Sequence, residues 1–349
     1  MEDHNDYLNQ IKTEFQLSEI SGLLDKAKDL SVLVIGDTII DHYIFVRLKG
    51  RAIKDPILSV EFENEEIYAG GILAIANHLS GFVEQVSLLT ITGDRETRLD
   101  FIHQSIKSNI QLKTFTKKNS PTTVKQRLVD LYRNNKLFKI EYINDQPIDQ
   151  KLTEEIIKYL DWELPKHDLV VVGDFGHGFI NAAIRRKLEE KSKFLAVNAQ
   201  SNSSNMGFNY FNLYKKLDFI SVNEEELRLT LSLRFEETEK LLKTACEVFN
   251  LKKFLVTQGK KGCTFINNGE FFKAPILITS VKDTVGAGDA LYAISSLLVY
   301  LNGNNKLIPF VANCAGGIAA NIMGNKESVT KEKLLDFIKD VSENGLGNI

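Results

Sequence analysis

The sequence is poor in the residues that crosslink or interrupt a chain. Among 349 residues there are three cysteines and six prolines. Cys246, Cys263 and Cys314 lie far apart and each has apolar neighbours, so they predict buried thiols and not a disulfide framework or a zinc site. No tract rich in Pro, Gly or Ser marks a linker between domains.

An excess of one charge and long apolar runs are also missing. The net charge is -3 at pH 7, which excludes the strongly basic surface of a non-specific nucleic-acid binder. No apolar run approaches the ~20 residues of a membrane-spanning helix. The polar, acidic start, MEDHNDYLNQ, is unlike a secretory signal peptide. We therefore expect a cytoplasmic protein without membrane or nucleic-acid partners.

Short apolar runs alternate with helix-like stretches along most of the chain. The runs include VLVIGD (32–37), LVVVGDFG (169–176), FISVN (219–223) and FLVTQG (254–259). This alternation predicts an α/β fold, with a mainly parallel sheet covered by helices on both faces. In such sheets ligands bind at the carboxyl ends of the strands. The expected helices lie near 72–80, 98–107, 151–162, 180–191, 224–232 and 237–249.

Two stretches do not follow this alternation. Residues 57–68 and 122–144 read as extended, and the second has a polar centre, RNNK, that suits a hairpin turn. They predict a small antiparallel flap beside the main sheet. Ahead of the first strand, apolar residues between positions 17 and 27 recur at helical spacing. We therefore expect an N-terminal helical extension (1–30) followed by one domain (31–345).

The stretch VKDTVGAGDALYAISSLLVYL (281–301) joins a glycine-rich turn to an apolar helix. The free N–H groups and the positive dipole end of such a helix start form an anion cradle. The turn lacks the third glycine of a dinucleotide fingerprint and the Gly-Lys-Ser/Thr of a P-loop. Asp289 nevertheless stands at its mouth, where a carboxylate would repel a phosphate.

Asp289 has two interpretations. It can simply favour the helix N-terminus through the dipole. Alternatively, the N–H groups of Gly286, Ala287 and Gly288 hold the terminal phosphate of a nucleotide, and a metal ion shares its charge. Asp289 then faces the acceptor hydroxyl as a general base. Phosphoryl-transfer transition states are loose, so a modest base suffices and positioning matters more.

The same stretch resembles a family signature. DTVGAGDA is similar to the DTxGAGD sequence of the PfkB, or ribokinase-like, carbohydrate kinases. Further segments resemble that family's motifs in family order: VLVIGDTIIDHY, YAGGILAIANHL, SVNEEEL, VTQGKKGCTF and ANCAGGIAA. The resemblance covers about residues 30 to 340. It implies a ribokinase-like fold, ATP and Mg²⁺ as cofactors, and a sugar as acceptor.

Within that family the chain most resembles the heptose-7-phosphate kinases. The segments that carry this likeness are GDTIIDHYIFVRLKGRAIKDPILSV, PTTVKQRLVDLYRNNKLFKIEY and VVVGDFGHGFI. The chain departs from the family pattern near the expected sugar site. Ala74 replaces an asparagine, Asn198 and Gln200 stand in place of a DPK sequence, and His177 replaces a lysine. The resemblance therefore leaves the sugar open, and His177 fits either a phosphate contact or a polar turn residue.

By position, the resemblance implies three sets of site residues. The catalytic set is Asp289 with Gly286, Ala287 and Gly288. The substrate-binding set is Asp41, Gly70, Gly71, Lys125, Arg127 and Asp174. The cofactor-binding set is Asn223, Gly259, Gly262, Asp283, Thr284 and Asn313, with Glu226 ordering the water shell of Mg²⁺.

Several of these residues have plainer interpretations. Lys125 and Arg127 alternate on one expected flap strand, so they either clamp a sugar phosphate or form a solvated charged face. Asp41 fits a turn residue, and Glu226 fits an exposed acid at a helix start. The DFG at 174–176 does not indicate a protein kinase, because neither an HRD loop nor a Gly-rich ATP loop accompanies it.

Together these features predict an ATP-dependent kinase of a sugar phosphate such as heptose 7-phosphate, with Asp289 as general base. Two alternatives stay open: a kinase for another sugar or polyol, and a non-catalytic nucleotide- or sugar-sensing protein on the same fold. Flap strands in this family often pair between subunits, so the resemblance also implies a homodimer through the flap.

Overall fold

The computed structural model of the chain describes residues 2–346. The strands are β1 (Val32–Arg51), β2 (Leu58–Gly71), β3 (Val86–Arg95), β4 (Ile110–Pro121), β5 (Val124–Asp130), β6 (Asn135–Tyr142), β7 (Leu169–Asp174), β8 (Leu195–Ala199), β9 (Phe219–Asn223), β10 (Lys253–Thr257), β11 (Cys263–Asn267) and β12 (Glu270–Ala274). The helices are α1 (Glu2–Glu14), α2 (Leu17–Asp25), α3 (Ile72–Leu79), α4 (Leu99–Ser105), α5 (Gln150–Glu163), α6 (Ala182–Lys191), α7 (Glu224–Leu231), α8 (Thr238–Phe249), α9 (Ala287–Tyr300), α10 (Leu307–Ala320) and α11 (Lys331–Asn344).

The main sheet has the strand order β12-β11-β10-β9-β8-β7-β1-β3-β4 and is parallel from β10 to β4. Successive side chains of β1 enter opposite cores, because neighbouring residues of a strand point to opposite faces. Val32 and Val34 pack in the core that contains α3, α9 and α10. Leu33 and Ile35 pack in the core that contains α5, α6 and α8. The α/β fold expected from the sequence is confirmed.

Strand β1 extends beyond the main sheet and becomes the centre of the flap. After Asp37 it pairs with β2 antiparallel and with β5 parallel, and β5 pairs with β6 antiparallel. The flap therefore has the order β2-β1-β5-β6. It differs in one pairing from the antiparallel arrangement that the sequence suggested. Only Thr122 and Thr123 separate β4 from β5, so β5 keeps the direction that β4 shares with β1.

The flap has a small apolar cluster on its inner face. Tyr43, Phe45, Tyr68 and Val129 are buried there, and Met323 packs against them. The inner face also carries polar side chains, because Asp41 and Tyr43 alternate with outward-facing residues along β1. The flap thus brings charged groups over the carboxyl end of the main sheet.

The N-terminal helices pack on the domain. Leu8 of α1 and Leu24 of α2 belong to the same core as α10 and α11, and the rings of Tyr7 and Phe310 lie 6.3 Å apart between their centroids. Cys263 and Cys314 are buried free thiols, and the free thiol of Cys246 is half-buried. Over residues 2–346, no helix is both long and apolar enough to span a membrane.

Candidate active site

A cleft of about 330 Å³ lies between the flap and the carboxyl ends of β8 and β9. Flap residues form one wall, and the turn that precedes α9 forms another. The cleft brings together most of the residues that the sequence singles out: Asp41, Gly71, Lys125, Arg127, Asn223, Glu226, Thr284, Gly286, Gly288 and Asp289. It is therefore the candidate active site.

The turn before α9 has the geometry of an anion cradle. Gly286 has φ +85°, and a Cβ there would lie 1.9 Å from the side-chain oxygen of Asn325, so only glycine fits. The helix begins at Ala287 without a side-chain cap. The first N–H groups of a helix have no partner within it. Ala287 N–H donates to the Thr284 carbonyl at 3.4 Å, whereas the N–H groups of Gly288 and Asp289 are available to an anion. Gly288 leaves open space beside them.

Asp289 lies in the first turn of α9, and its side chain lines the cleft. The residue is 8% exposed, and the Gln200 amide donates a hydrogen bond to Oδ1 at 3.1 Å. Burial, followed by the nearby charge of Asp41, raises the pKa of Asp289 to about 7. A carboxyl with a pKa near neutrality has the range of a general base at physiological pH.

Asp41 is held in place from two sides. Arg127 on β5 donates a hydrogen bond from Nη1 to Asp41 Oδ1, and both side chains are largely buried. On the other side, a Cβ on Gly70 would lie 2.1 Å from Asp41 Oδ2. Glycine at this position therefore lets β2 pack directly against the carboxylate. Gly71, with φ +54°, follows in the turn into α3 and lines the cleft.

Lys125 stands opposite Asp41 in the parallel register of β1 and β5. It is 8% exposed and lines the cleft. Burial lowers the pKa of Lys125, although the charges of Asp41 and Glu141 oppose that shift. Its ammonium makes no hydrogen bond and no ion pair with any residue in the described range 2–346. Arg127 and Lys125 therefore differ: the former is paired with Asp41, and the latter is not paired.

Glu226 closes a capping box at the start of α7. Its Oε2 accepts the Asn223 N–H at 2.9 Å, and the Asn223 side chain accepts the Glu226 N–H at 2.8 Å. Its Oε1 accepts the Ser201 N–H at 3.1 Å. Burial raises the pKa of Glu226 to about 7. The acid is therefore buried at the cleft and not an exposed residue of the helix start.

A second, more open cleft of about 1190 Å³ adjoins the first and shares Asn223 and Thr257 with it. Arg228, Phe235 and Gly259 also line it. Gly262 lies outside both clefts. It has φ +91°, and a Cβ would lie 2.0 Å from the Ala274 carbonyl oxygen. Gly262 thus shapes the turn between β10 and β11.

Other predicted site residues do not reach the cleft. Asp174 is buried behind it, and its carboxylate accepts hydrogen bonds from the Tyr214 hydroxyl at 2.8 Å and the Asn209 amide at 3.2 Å. Asn313 lies on α10 and donates to the Pro275 carbonyl. Asp283 is buried beside the turn, where protein donors surround both of its carboxylate oxygens.

The positions that depart from the family pattern separate into two groups. Asn198 and Gln200 line the cleft, and Asn198 Oδ1 has no hydrogen-bond partner among the described residues. Ala74 is buried in α3. His177 is buried, and neither ring nitrogen has a partner in the described range. Burial lowers its pKa to about 3, so the ring is neutral.

No motif or spacing in the sequence indicates the contact between Gln200 and Asp289. The side chains meet because β8 ends beside the N-terminus of α9, although the two residues are far apart in sequence. Ser221 and Thr257 also line the cleft without having been singled out. The one available signal is that Gln200 directly follows β8 and Thr257 ends β10, at the carboxyl ends of strands, where ligands bind.

The chain matches the model of the pfkB family carbohydrate kinases over residues 29–295. It belongs to this family. As a pfkB-family protein it is an ATP-dependent carbohydrate kinase, and residues of its DTVGAGD turn line the cleft.

Two relatives of the pfkB-family chain are bifunctional proteins HldE. That of Nitratiruptor sp. is 23% identical over 326 residues, which cover 89% of this chain and 68% of the relative. That of a Helicobacter pylori strain is 24% identical over 302 residues, which cover 84% of this chain and 63% of the relative. The chain spans about two thirds of the length of these relatives.

Solved structures show the same fold. Arabidopsis thaliana ribokinase, complexed with ribose and ATP, aligns with a TM-score of 0.68 at 16% identity, over 89% of this chain and 99% of that chain. Phosphofructokinase-2 from Escherichia coli aligns with a TM-score of 0.70 at 12% identity, over 90% of this chain and 99% of that chain. The ribokinase-like fold implied by the sequence motifs is confirmed.

Proposed function

We propose that this pfkB-family kinase transfers the terminal phosphate of ATP to a hydroxyl of a sugar that already carries a phosphate, such as heptose 7-phosphate. The unpaired ammonium of Lys125, a residue that is 8% exposed and lines the cleft, carries the proposal. Burying a charge without a partner is costly, and a substrate phosphate in the cleft would supply that partner. The HldE relatives and the resemblance to heptose-7-phosphate kinases support the same substrate class.

Because Arg127 is paired with Asp41, the two cations of the flap, Lys125 and Arg127, have different roles. Lys125 holds the substrate phosphate, whereas Arg127 orients Asp41 toward the sugar hydroxyls. This arrangement replaces the two-cation clamp expected from the sequence. Because Gly70 packs against the other side of Asp41, the carboxylate has one fixed position for hydrogen bonding to the sugar.

In the proposed reaction the first turn of α9 holds the terminal phosphate of ATP. The acceptor hydroxyl oxygen forms a bond to the terminal phosphorus, the bond from that phosphorus to the bridging oxygen breaks, and ADP leaves. Asp289 accepts the hydroxyl proton at its carboxylate. Gln200 donates to Oδ1, which leaves Oδ2 as the oxygen that faces the acceptor.

The carboxylate of Glu226 fits a Mg²⁺ ion that it contacts through a bound water. The two carboxylate oxygens of Glu226 each accept one backbone N–H, and a carboxylate has further lone pairs. Glu226 can therefore accept a hydrogen bond from a metal-bound water, since Mg²⁺ usually keeps several waters. When bound, the ion neutralises charge on the phosphates of ATP.

The experiment that tests the function measures ADP release with a panel of sugars and sugar phosphates. We expect turnover to be fastest with a sugar phosphate of the heptose 7-phosphate class. Turnover of an unphosphorylated sugar or polyol alone would favour the alternative kinase. Tight sugar binding without any turnover would favour a sensing protein on the same fold.

Replacing Glu226 by Gln is expected to raise the Mg²⁺ concentration needed for half-maximal activity, with a smaller loss of kcat at saturating metal. The amide weakens the hydrogen bond to a metal-bound water but does not remove a direct ligand, and such changes typically cost about 10–100-fold in metal affinity or activity. A Mg²⁺ titration of both proteins measures this. An unchanged titration would leave Glu226 with only its role in the capping box.

Replacing Gln200 by Leu is expected to shift the acid limb of the pH profile of kcat/KM to higher pH. Asp289 acts as a base only when ionised, so activity falls as the pH drops through its pKa of about 7. The hydrogen bond from Gln200 favours the ionised form, and its loss raises the pKa further. Asp41, Lys125 and Glu226 also face Asp289, and the substitution leaves their charges unchanged. An acid limb at the same pH in both proteins would contradict the role of the Gln200 hydrogen bond in keeping Asp289 ionised.

We also propose a homodimer that forms through the outer face of the flap. Ile67 on β2 and Phe138, Ile140 and Tyr142 on β6 are between 40% and 49% exposed, and an apolar sheet face of this kind favours pairing with a second copy. Sedimentation equilibrium is expected to show a dimer for the wild type and a monomer for Ile140→Asp. A wild type that remains monomeric at micromolar concentration would contradict the dimer.

A further inference from the structure

Asp283 is a junction between the flap and the catalytic turn. It is 4% exposed, and each carboxylate oxygen accepts two hydrogen bonds. Oδ1 accepts from Lys136 Nζ at 2.6 Å and from the Val285 N–H at 3.0 Å. Oδ2 accepts from the Tyr43 hydroxyl at 2.7 Å and from the Gly324 N–H at 3.1 Å. A buried carboxylate with four donors is fully satisfied by the protein.

These donors come from separate parts of the fold. Lys136 lies on β6 and Tyr43 on β1, so both belong to the flap. Gly324 follows α10, and Val285 belongs to the turn itself. A single atom, Asp283 Oδ1, accepts hydrogen bonds both from Lys136 of the flap and from the N–H of Val285, the residue before Gly286. The position of the flap and the position of the cradle are thus linked through the side chain of Asp283, and the Asn134 amide of the flap adds a hydrogen bond to the Lys282 carbonyl at 3.3 Å.

Packing supports the same connection. Tyr43 is fully buried, and its ring meets that of Tyr68 edge-on with 5.6 Å between the centroids. Tyr68 in turn lies so close to Gly324 that a Cβ there would be 2.5 Å from the ring. Aromatic residues of the flap therefore pack against the loop after α10. The hydrogen bonds of Asp283 connect this contact to the turn before α9.

We propose that Lys136 and Tyr43 are positioning residues for phosphoryl transfer, which latch the flap to the catalytic turn through Asp283. The flap carries Asp41 and Lys125 over the sugar, and the turn holds the transferred phosphate. The latch fixes the distance between acceptor and phosphate. The inference rests on the proposed function of the turn, and it moves Asp283 from a cofactor-binding role to a role in flap closure.

The critical experiment compares two flap lysines. Lys136→Met removes the cation that joins the flap to the turn. Lys49→Met is the matched control, because Lys49 pairs with Glu61 at 2.6 Å inside the flap and makes no contact with the turn. Misplacement by about 1 Å can cost about 10²-fold in rate. We expect Lys136→Met to lower kcat by about ten- to a hundredfold, with little change in KM for ATP, and Lys49→Met to leave kcat unchanged.

Rescue and coupling separate a latch from general stabilisation. Lys136→Arg keeps a cation and is expected to recover most of the lost kcat. In an Asp283→Asn background, Lys136→Met is expected to have little further effect, because the contact is already lost. Tyr43→Phe is a second variant for the case in which Lys136→Met folds poorly. It removes only a hydroxyl, and it is also expected to lower kcat.

Hydrogen exchange gives a readout that does not depend on the reaction. We expect amides of β5 and β6 to exchange faster in Lys136→Met and at the wild-type rate in Lys49→Met. A wild type without turnover on any sugar would overturn the proposed function, while exchange would still test the latch. Wild-type exchange in Lys136→Met would overturn the latch. Two results would overturn the positioning role of Lys136. One is faster exchange in Lys136→Met with a wild-type kcat, and the other is an equal loss of kcat in Lys136→Met and Lys49→Met.

Discussion

Asp289→Asn is expected to fold normally and to lose about 10²–10⁴-fold in kcat, the usual contribution of a positioned general base. The amide has nearly the same size and keeps an oxygen for the hydrogen bond from Gln200, but it does not take the proton of the acceptor hydroxyl. The measurement is steady-state ADP release at saturating ATP and sugar. KM for ATP is expected to change little.

Asp161→Asn is the control for this substitution. Asp161 lies on α5 and pairs with Lys187 on the surface, so its neutralisation leaves the cleft intact and the rate unchanged. Melting temperatures of both variants verify that the fold is retained. A kcat near the wild-type value in Asp289→Asn would remove Asp289 from the mechanism and leave it with the role of a residue that favours the start of α9.

Lys125→Met is expected to raise KM for the sugar phosphate by about ten- to a hundredfold. This corresponds to about 1.5–3 kcal/mol, the range for a hydrogen bond to a charged group. The methionine keeps an apolar chain of similar length, so the change removes mainly the ammonium. KM for ATP is expected to stay nearly constant, because the proposed contact of Lys125 is with the sugar's own phosphate.

The unphosphorylated sugar is the internal control for Lys125. If it reacts, its KM is expected to be indifferent to Lys125→Met, and Lys49→Met is expected to affect neither substrate. Equal effects on the phosphorylated and unphosphorylated sugars would mean that Lys125 has a structural role. An effect confined to ATP would move this part of the flap to the nucleotide side of the cleft.

The regular elements could be read from the sequence because their burial pattern is simple. The helix expected at 72–80 is α3 (Ile72–Leu79), and the one expected at 237–249 is α8 (Thr238–Phe249). Helix α8 has an apolar spacing that fixes its buried face, whereas α3 is a short apolar stretch that is buried on all sides. Strand β4 (Ile110–Pro121) was not expected. It lies at the edge of the main sheet, and its many exposed polar residues hide the strand pattern.

Contacts between residues far apart in the chain could not be predicted from the sequence. The motifs identified Asp41 and Arg127 as site residues, but nothing in the spacing of 86 residues indicated that they pair with each other. For the same reason Asp283 was expected to bind a cofactor, whereas its carboxylate accepts hydrogen bonds from Tyr43 and Lys136 of the flap. Motifs place residues near a site, and only the packing of the fold decides which partner each side chain has.

The most direct test of the central claim compares one pair of acceptors on the wild-type protein: heptose 7-phosphate and the same heptose without phosphate. The phosphorylated sugar is expected to have a kcat/KM at least about tenfold higher, since Lys125 contributes a charged hydrogen bond only to that substrate. Equal values, or a preference for the unphosphorylated sugar, would contradict the proposal that the cleft recognises a sugar phosphate.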